Sequence, residues 1–183
     1  MSVAVIGGGI YGITISLNLA AAGFDVDLFE QAEDIMTAAS WGNQWRLHRG
    51  YHYPRAPATA RNCRDSAQRF TTRYPDAVIK DSAHYYCIAA DDRTKTTAPE
   101  FLSFCEDLHL AYSREHPSVV RTDAIDLAVR VPENRIDPHA LKSQCKAELA
   151  HSSVDTHLGH RITDIHTLPH DSIVIATYAG INN

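Results

Sequence analysis

The sequence predicts an α/β fold built on a parallel sheet, and three observations carry that prediction. Residues 3–6 form a short apolar run that ends in a glycine-rich turn. Residues 10–22 follow with apolar side chains at helical spacing and end on Gly23. Residues 24–29 alternate apolar and acidic side chains and close on Glu30. A strand, a helix and a strand within 30 residues require parallel pairing, because the helix carries the chain back across the sheet.

Each element has its own warrant. Residues 3–6 (VAVI) are apolar on both faces, as expected of a strand covered on both sides. Ile10, Ile13, Leu17 and Ala20 share a helical face. Gly23 stands where a C-terminal cap needs a residue that tolerates positive φ. Residues 40–54 (SWGNQWRLHRGYHYP) lack periodicity and hold both tryptophans, which marks a segment that lines a site or lies under one. A helix is predicted over residues 57–74, with Pro57 at its start, Pro75 beyond its end, and Ala60, Cys63, Ala67, Phe70 and Tyr74 on one face. Residues 83–90 read as a strand. Thr97 and Glu100 have capping-box spacing and open a helix that aligns Phe101, Cys105 and Leu108. Residues 124–131 read as a strand. Asp137 and Pro138 then open a helix with Leu141, Cys145 and Leu149 as its buried edge. Strands are predicted over residues 154–158, 162–166 and 172–177.

The bulk properties narrow the function. The chain of 183 residues, 44% apolar with a net charge of −5, suits one domain plus a small lobe. Its cations are scattered, which argues against nucleic acid as a partner. Cys63, Cys87, Cys105 and Cys145 form no C-x-x-C pair and fit reduced thiols in a cytoplasmic protein. His48 and His52 sit four apart around Gly50, without the helical context of a metal motif, so no metal site is expected. The N-terminal apolar stretch is broken by Gly7, Gly8, Gly9 and Gly12, which argues against stable membrane insertion.

The chemistry begins at Gly7-x-Gly9-x-x-Gly12. Gly7 permits the turn, Gly9 lets a pyrophosphate approach the backbone beside Ile10, and Gly12 lets the helix close on the strand. Backbone N–H groups and the helix dipole then favour an anion. Glu30, 18 residues past Gly12, stands where a carboxylate accepts ribose hydroxyls. That acid disfavours a 2′-phosphate, so NADP is disfavoured while FAD and NAD both remain open on these residues.

Ser40-x-x-Asn43-x-x-x-x-His48-x-Gly50-x-x-Tyr53, followed by Ala60-Arg61-x-Cys63, resembles the D-amino-acid-oxidase-type flavoprotein superfamily. The likeness is nearest to the L-2-hydroxyglutarate oxidase branch and more distant to sarcosine and glycine oxidases. It runs on through Val129-Arg130-Val131-Pro132, Ile136-Asp137-Pro138 and Ile173-Val174-Ile175-Ala176-Thr177. The resemblance implies a Rossmann-like FAD/NAD(P)-binding fold with a parallel sheet and a partial inserted substrate lobe. The nucleotide fold would take residues 1–78 and 136–183, and the lobe residues 79–135. It implies FAD as cofactor, with Ser40 at the phosphate or ribityl chain, and Asn43 and the backbone of Arg46, Leu47 and His48 near the isoalloxazine. Ile162 would hold adenine through its backbone, and Thr177 would end a strand beside the cofactor.

Three departures stand out. Tyr178 occupies a position where the superfamily has glycine. Trp41, Trp45 and Arg46 replace small or apolar residues. The superfamily also continues well past residue 183, so a missing C-terminal half is the expected partner.

Among single residues, His48 has the chemistry of a general base, with an ordinary pKa of about 6.5, or is a histidine packed by Tyr51 and Tyr53. Arg46 and Arg49 either present planar forks to a substrate carboxylate or are ion-paired. Arg61 reads as structural. The expected function is an FAD-dependent oxidoreductase acting on a CH–OH or CH–NH group of a small hydroxy or amino acid. The alternatives are an inactive FAD-binding fragment and an NAD-dependent dehydrogenase.

Overall fold

The structure is a computed structural model that describes residues 1–80 and 83–179. In chain order the strands and α-helices are β1 (Ser2–Ile6), α1 (Ile10–Ala21), β2 (Asp25–Phe29), β3 (Arg46–Leu47), α2 (Pro57–Arg73), β4 (Val78–Ile79), β5 (His84–Ala89), α3 (Ala98–Asp107), β6 (Ser113–Arg114), β7 (Ile125–Val131), β8 (Asn134–Ile136), α4 (Pro138–Ala150), β9 (Val154–His157) and β10 (Ser172–Ile175). Among the described residues no helix is long and apolar enough to cross a membrane.

The chain divides into two compact units: residues 1–44 with 138–183, and residues 45–137. Residues 45–78, grouped by sequence with the nucleotide fold, therefore belong by contact to the second unit. The physical reason is strand pairing, since β3 and β4 flank β8 in one antiparallel sheet.

The first unit is a four-stranded parallel sheet in the order β10-β1-β2-β9. Val3, Ala4, Val5, Val26 and Leu28 are buried in it, which is why β1 reads as an unbroken apolar run. Helix α1 buries Gly12, Ile13 and Ser16. It ends in a Schellman motif: Gly23 N–H donates to Ala20 O at 2.9 Å and Phe24 N–H to Leu19 O at 3.1 Å, with Gly23 at φ 87°. Helix α4 buries Leu141, Cys145 and Leu149. Lys142 and Lys146 of α4 reach back to Asp34 at 2.9 and 2.8 Å. On β2, the Asp27 carboxylate accepts from His157 Nε2 at 2.5 Å and His170 Nε2 at 2.7 Å.

One expected strand does not form. Residues 162–164 are irregular, and Ile165–Thr167 is a 3₁₀ turn in which the Asp164 side chain accepts the His166 N–H at 2.9 Å. This segment pairs with neither edge strand of the sheet, β9 or β10. A local side-chain bond satisfies the backbone instead.

The second unit holds two three-stranded antiparallel sheets, β3-β8-β4 and β5-β7-β6. Its core gathers Tyr51, Ala60, Phe101, Phe104, Cys105, Leu108 and Val129. The capping box forms at α3: Glu100 N–H donates to Thr97 Oγ1, and Thr97 N–H donates to Glu100 Oε2 at 2.7 Å. Gly50 has φ 104° and lies so close to α2 that a Cβ would stand 2.5 Å from Ala60 O. The four shortest strands (β3, β4, β6 and β8) were not expected, since two or three residues carry no periodicity.

Candidate functional site

In the first unit, the turn between β1 and α1 is shaped by three close approaches. Gly7 has φ 115°, donates its N–H to Phe29 O at 2.8 Å, and would push a Cβ to within 2.6 Å of Ala176 O. At Gly12 a Cβ would collide with Gly7 O at 1.8 Å. Gly9 differs, because the neighbour its Cβ would meet is the Ser40 hydroxyl, at 3.0 Å. That approach is open apart from one polar atom.

Glu30 is folded onto the same turn. Its Oε2 accepts the Gly8 N–H at 2.6 Å and its Oε1 the Ala32 N–H at 2.9 Å. Each oxygen retains acceptor capacity for a further donor such as a sugar hydroxyl. Ser40 Oγ accepts the Ile10 N–H at 3.0 Å. Gly9 supplies no side-chain cap, and the first turn of α1 carries no acid to offset the helix dipole. Thr177, just past β10, has a buried hydroxyl with no hydrogen-bond partner, beside the Gly7 backbone. A cradle open at Gly9, an orphaned hydroxyl and a carboxylate at the turn fit the diphosphate and ribose of a dinucleotide. Gly7, Gly9, Ile10, Gly12, Glu30, Ser40 and Thr177 are thus gathered in one place.

Asn43 and Ile162 are not in that group. The Asn43 amide donates back to Ser40 O at 3.1 Å, closing its own loop. Ile162 lies in the irregular stretch rather than on a strand. Tyr178 takes φ 52°, the left-handed region, so the backbone keeps a glycine-type conformation where the resemblance expects glycine.

The second unit brings Arg46, His48 and Arg49 around Glu133, which sequence reading missed. The Glu133 side chain is fully buried. Its Oε2 accepts Arg46 Nη2 at 2.6 Å and the Tyr86 hydroxyl at 3.0 Å, and its Oε1 accepts the Arg49 backbone N–H at 2.7 Å. The Arg46 guanidinium also lies over the Tyr86 ring, 5.1 Å from its centroid. Arg46 is therefore ion-paired, whereas the half-buried Arg49 donates through its side chain to Pro132 O at 3.3 Å. Leu47 is buried in β3 between these polar neighbours. His48 Nδ1 stands 3.9 Å from Glu133 Oε2. Burial lowers the His48 pKa; Glu133 opposes that, and Arg46 and His52 lower it further. Burial first, then the Glu133 charge, push the Tyr86 hydroxyl well above its ordinary value. No local signal pointed to Glu133: its partner Arg46 lies 87 residues away, and a lone acid between Pro132 and Asn134 reads as a surface turn.

Trp41 is accounted for by packing within the first unit, edge-on to His139 at 5.1 Å with Lys142 Nζ 5.4 Å from its centroid. Trp45 takes φ 51° and accepts the Ile136 N–H at 2.7 Å through its carbonyl.

Known proteins resemble this chain in sequence and in fold. The FAD-dependent monooxygenase FPY4 of Fusarium mangiferae is 34% identical over 132 residues, covering 72% of this chain and 36% of the relative. The chain thus spans about a third of that curated relative's length. The crystal structure of glycine oxidase from Geobacillus kaustophilus superposes with a TM-score of 0.67 at 15% identity, over 96% of this chain and 54% of the other. Dithionite-reduced L-α-glycerophosphate oxidase from Mycoplasma pneumoniae with FAD bound gives 0.66 at 13%, over 96% and 52%. These two structures show a common fold. With residues 2–181 matching the description of the DAO family, FAD dependent oxidoreductase, the chain belongs to that family.

Proposed function

We propose that this chain contributes the FAD cradle and part of the substrate lobe of an oxidoreductase that oxidises a CH–OH or CH–NH group of a small hydroxy or amino acid. The L-2-hydroxyglutarate oxidase branch is the nearest model for its substrates. FAD, when bound, supplies the two-electron acceptor for the hydride leaving carbon. Gly9 and the start of α1 hold its diphosphate, Glu30 its ribose, and Ser40 and Thr177 add polar contacts. His48 accepts the proton released from the hydroxyl or amine, so the substrate leaves as a keto acid or an imine. Arg49 orients the substrate carboxylate, while Arg46 is held by Glu133.

One observation carries this reading. His48 Nδ1 stands 3.9 Å from the buried Glu133 carboxylate with its side chain still 34% exposed, and burial lowers its pKa. A neutral, accessible imidazole is what a proton acceptor needs.

The test is anaerobic addition of 2-hydroxy and amino acids to the purified FAD-loaded protein. Bleaching of the flavin absorbance by either class supports the proposal, and no bleaching by any member of both sets overturns it. A second reading is favoured by the relative named a monooxygenase: insertion of oxygen rather than dehydrogenation. Labelled dioxygen separates the two, since only insertion places the label in the product.

A further inference from the structure

We propose that Glu133 is the positioning residue for His48: the buried carboxylate holds the imidazole as its Nδ1–H tautomer and leaves the Nε2 lone pair as the proton acceptor. This rests on the reading of His48 as the base.

Strand register brings the two together. In the β3–β8 ladder Arg46 lies opposite Arg135 and Leu47 opposite Asn134. Continued one step in that antiparallel sense, the register places His48 opposite Glu133, just beyond the last paired residues. The 3.9 Å separation of Nδ1 and Oε2 follows from this placement. It is longer than a hydrogen bond and short enough for strong electrostatics in a buried setting.

The carboxylate is already committed to other donors. Arg46 Nη2 and the Tyr86 hydroxyl take Oε2, and the Arg49 N–H takes Oε1. The His48 ring nitrogen faces this already bonded carboxylate from 3.9 Å. His48 Nδ1 is buried and has no hydrogen-bond partner. A lone pair there, aimed at a carboxylate oxygen, would be repelled, whereas an N–H there is attracted. Neutral imidazole carries one proton, so an Nδ1–H leaves Nε2 as the acceptor.

Arg46 completes the device. Its charge neutralises Glu133, which keeps the carboxylate from drawing a second proton onto the ring. A carboxylate without that counter-charge would hold His48 as imidazolium and abolish its use as a base. Among the described contacts, the charged or titratable groups coupled to His48 are Glu133, Arg46, His52 and His84.

Nitrogen-15 NMR of histidine-labelled, FAD-loaded protein reads the tautomer directly, with H48Q identifying the resonance. The expected wild-type result is Nδ1–H. In E133Q the Nδ1–H share falls, and His48 titrates at lower pH than in the wild type, because the opposing negative charge is gone. An Nε2–H tautomer in the wild type overturns the proposal, as does an E133Q protein in which neither tautomer nor titration midpoint moves. A purely structural Glu133 would lower stability and leave both unchanged. If E133Q fails to fold, the wild-type tautomer alone decides. These spectra need no substrate. An Nδ1–H ring in a protein that no hydroxy or amino acid reduces therefore keeps this inference and removes the functional reading, and the reverse pair of results does the opposite.

Discussion

Glu30 Oε2 accepts the backbone N–H of Gly8 at 2.6 Å, so the acid that ends β2 is bonded to the turn that ends β1. The side chain expected to hold a sugar also braces the backbone expected to hold a diphosphate. In E30Q the amide keeps one acceptor oxygen, so either Gly8 or Ala32 loses its partner. We expect a stability loss of about 1–2 kcal/mol and FAD binding weaker by about tenfold or more, equivalent to about 1.4 kcal/mol. Thermal melting and a flavin-quenching titration check the two separately.

Two glycines of one motif should respond differently. G12A places a methyl group 1.8 Å from Gly7 O, a clash with backbone that cannot yield cheaply. It should cost several kcal/mol, of order 4, and deplete soluble protein. G9A meets the Ser40 hydroxyl at 3.0 Å and should fold with a change under about 1 kcal/mol. Its loss should be in FAD retention, read as flavin-to-protein absorbance after purification.

The acid limb of stability should carry the signature of Asp34. Hydrogen bonds from Lys146, then Lys142, hold its pKa down to about 2 from the ordinary 3.8. Because the folded value is depressed, the stabilisation is fully present above pH 3.8 and is lost as pH falls toward 2. Its side chain is 36% exposed, so solvent screening keeps the contribution below about 1 kcal/mol. Urea midpoints measured across this window should fall more steeply for the wild type than for D34N, and added salt should narrow the difference.

Removing the counter-charge from Glu133 should be costly. R46M takes the counter-charge from a buried carboxylate and should lose about 3–5 kcal/mol. The double variant R46M/E133Q no longer buries a charge, so its loss should fall short of the sum of the two single losses. Urea denaturation of the four proteins tests this, and additive losses would contradict an ion pair as the organising contact.

Several elements of both units are legible in the sequence because their signals are local. The β1–α1–β2 unit, the Gly23 cap, the Thr97–Glu100 box and the Leu141-Cys145-Leu149 edge each depend on residues a few positions apart. The expected strand over residues 162–166 shows where this fails. Its apolar residues suit a strand, but a strand needs a neighbour, and this segment pairs with neither edge strand and turns locally on Asp164 instead.

By itself the sequence determined the nucleotide turn, since glycine spacing, strand, helix and closing acid all express short-range sterics. Only the tertiary structure decided that Glu133 is buried, that Arg46 is spent on it, and that His48 turns Nδ1 toward it. The reason is separation along the chain. Residues 46, 86 and 133 meet through the pairing of short strands and side chains, and a buried charge network leaves no periodic trace in the residues that form it.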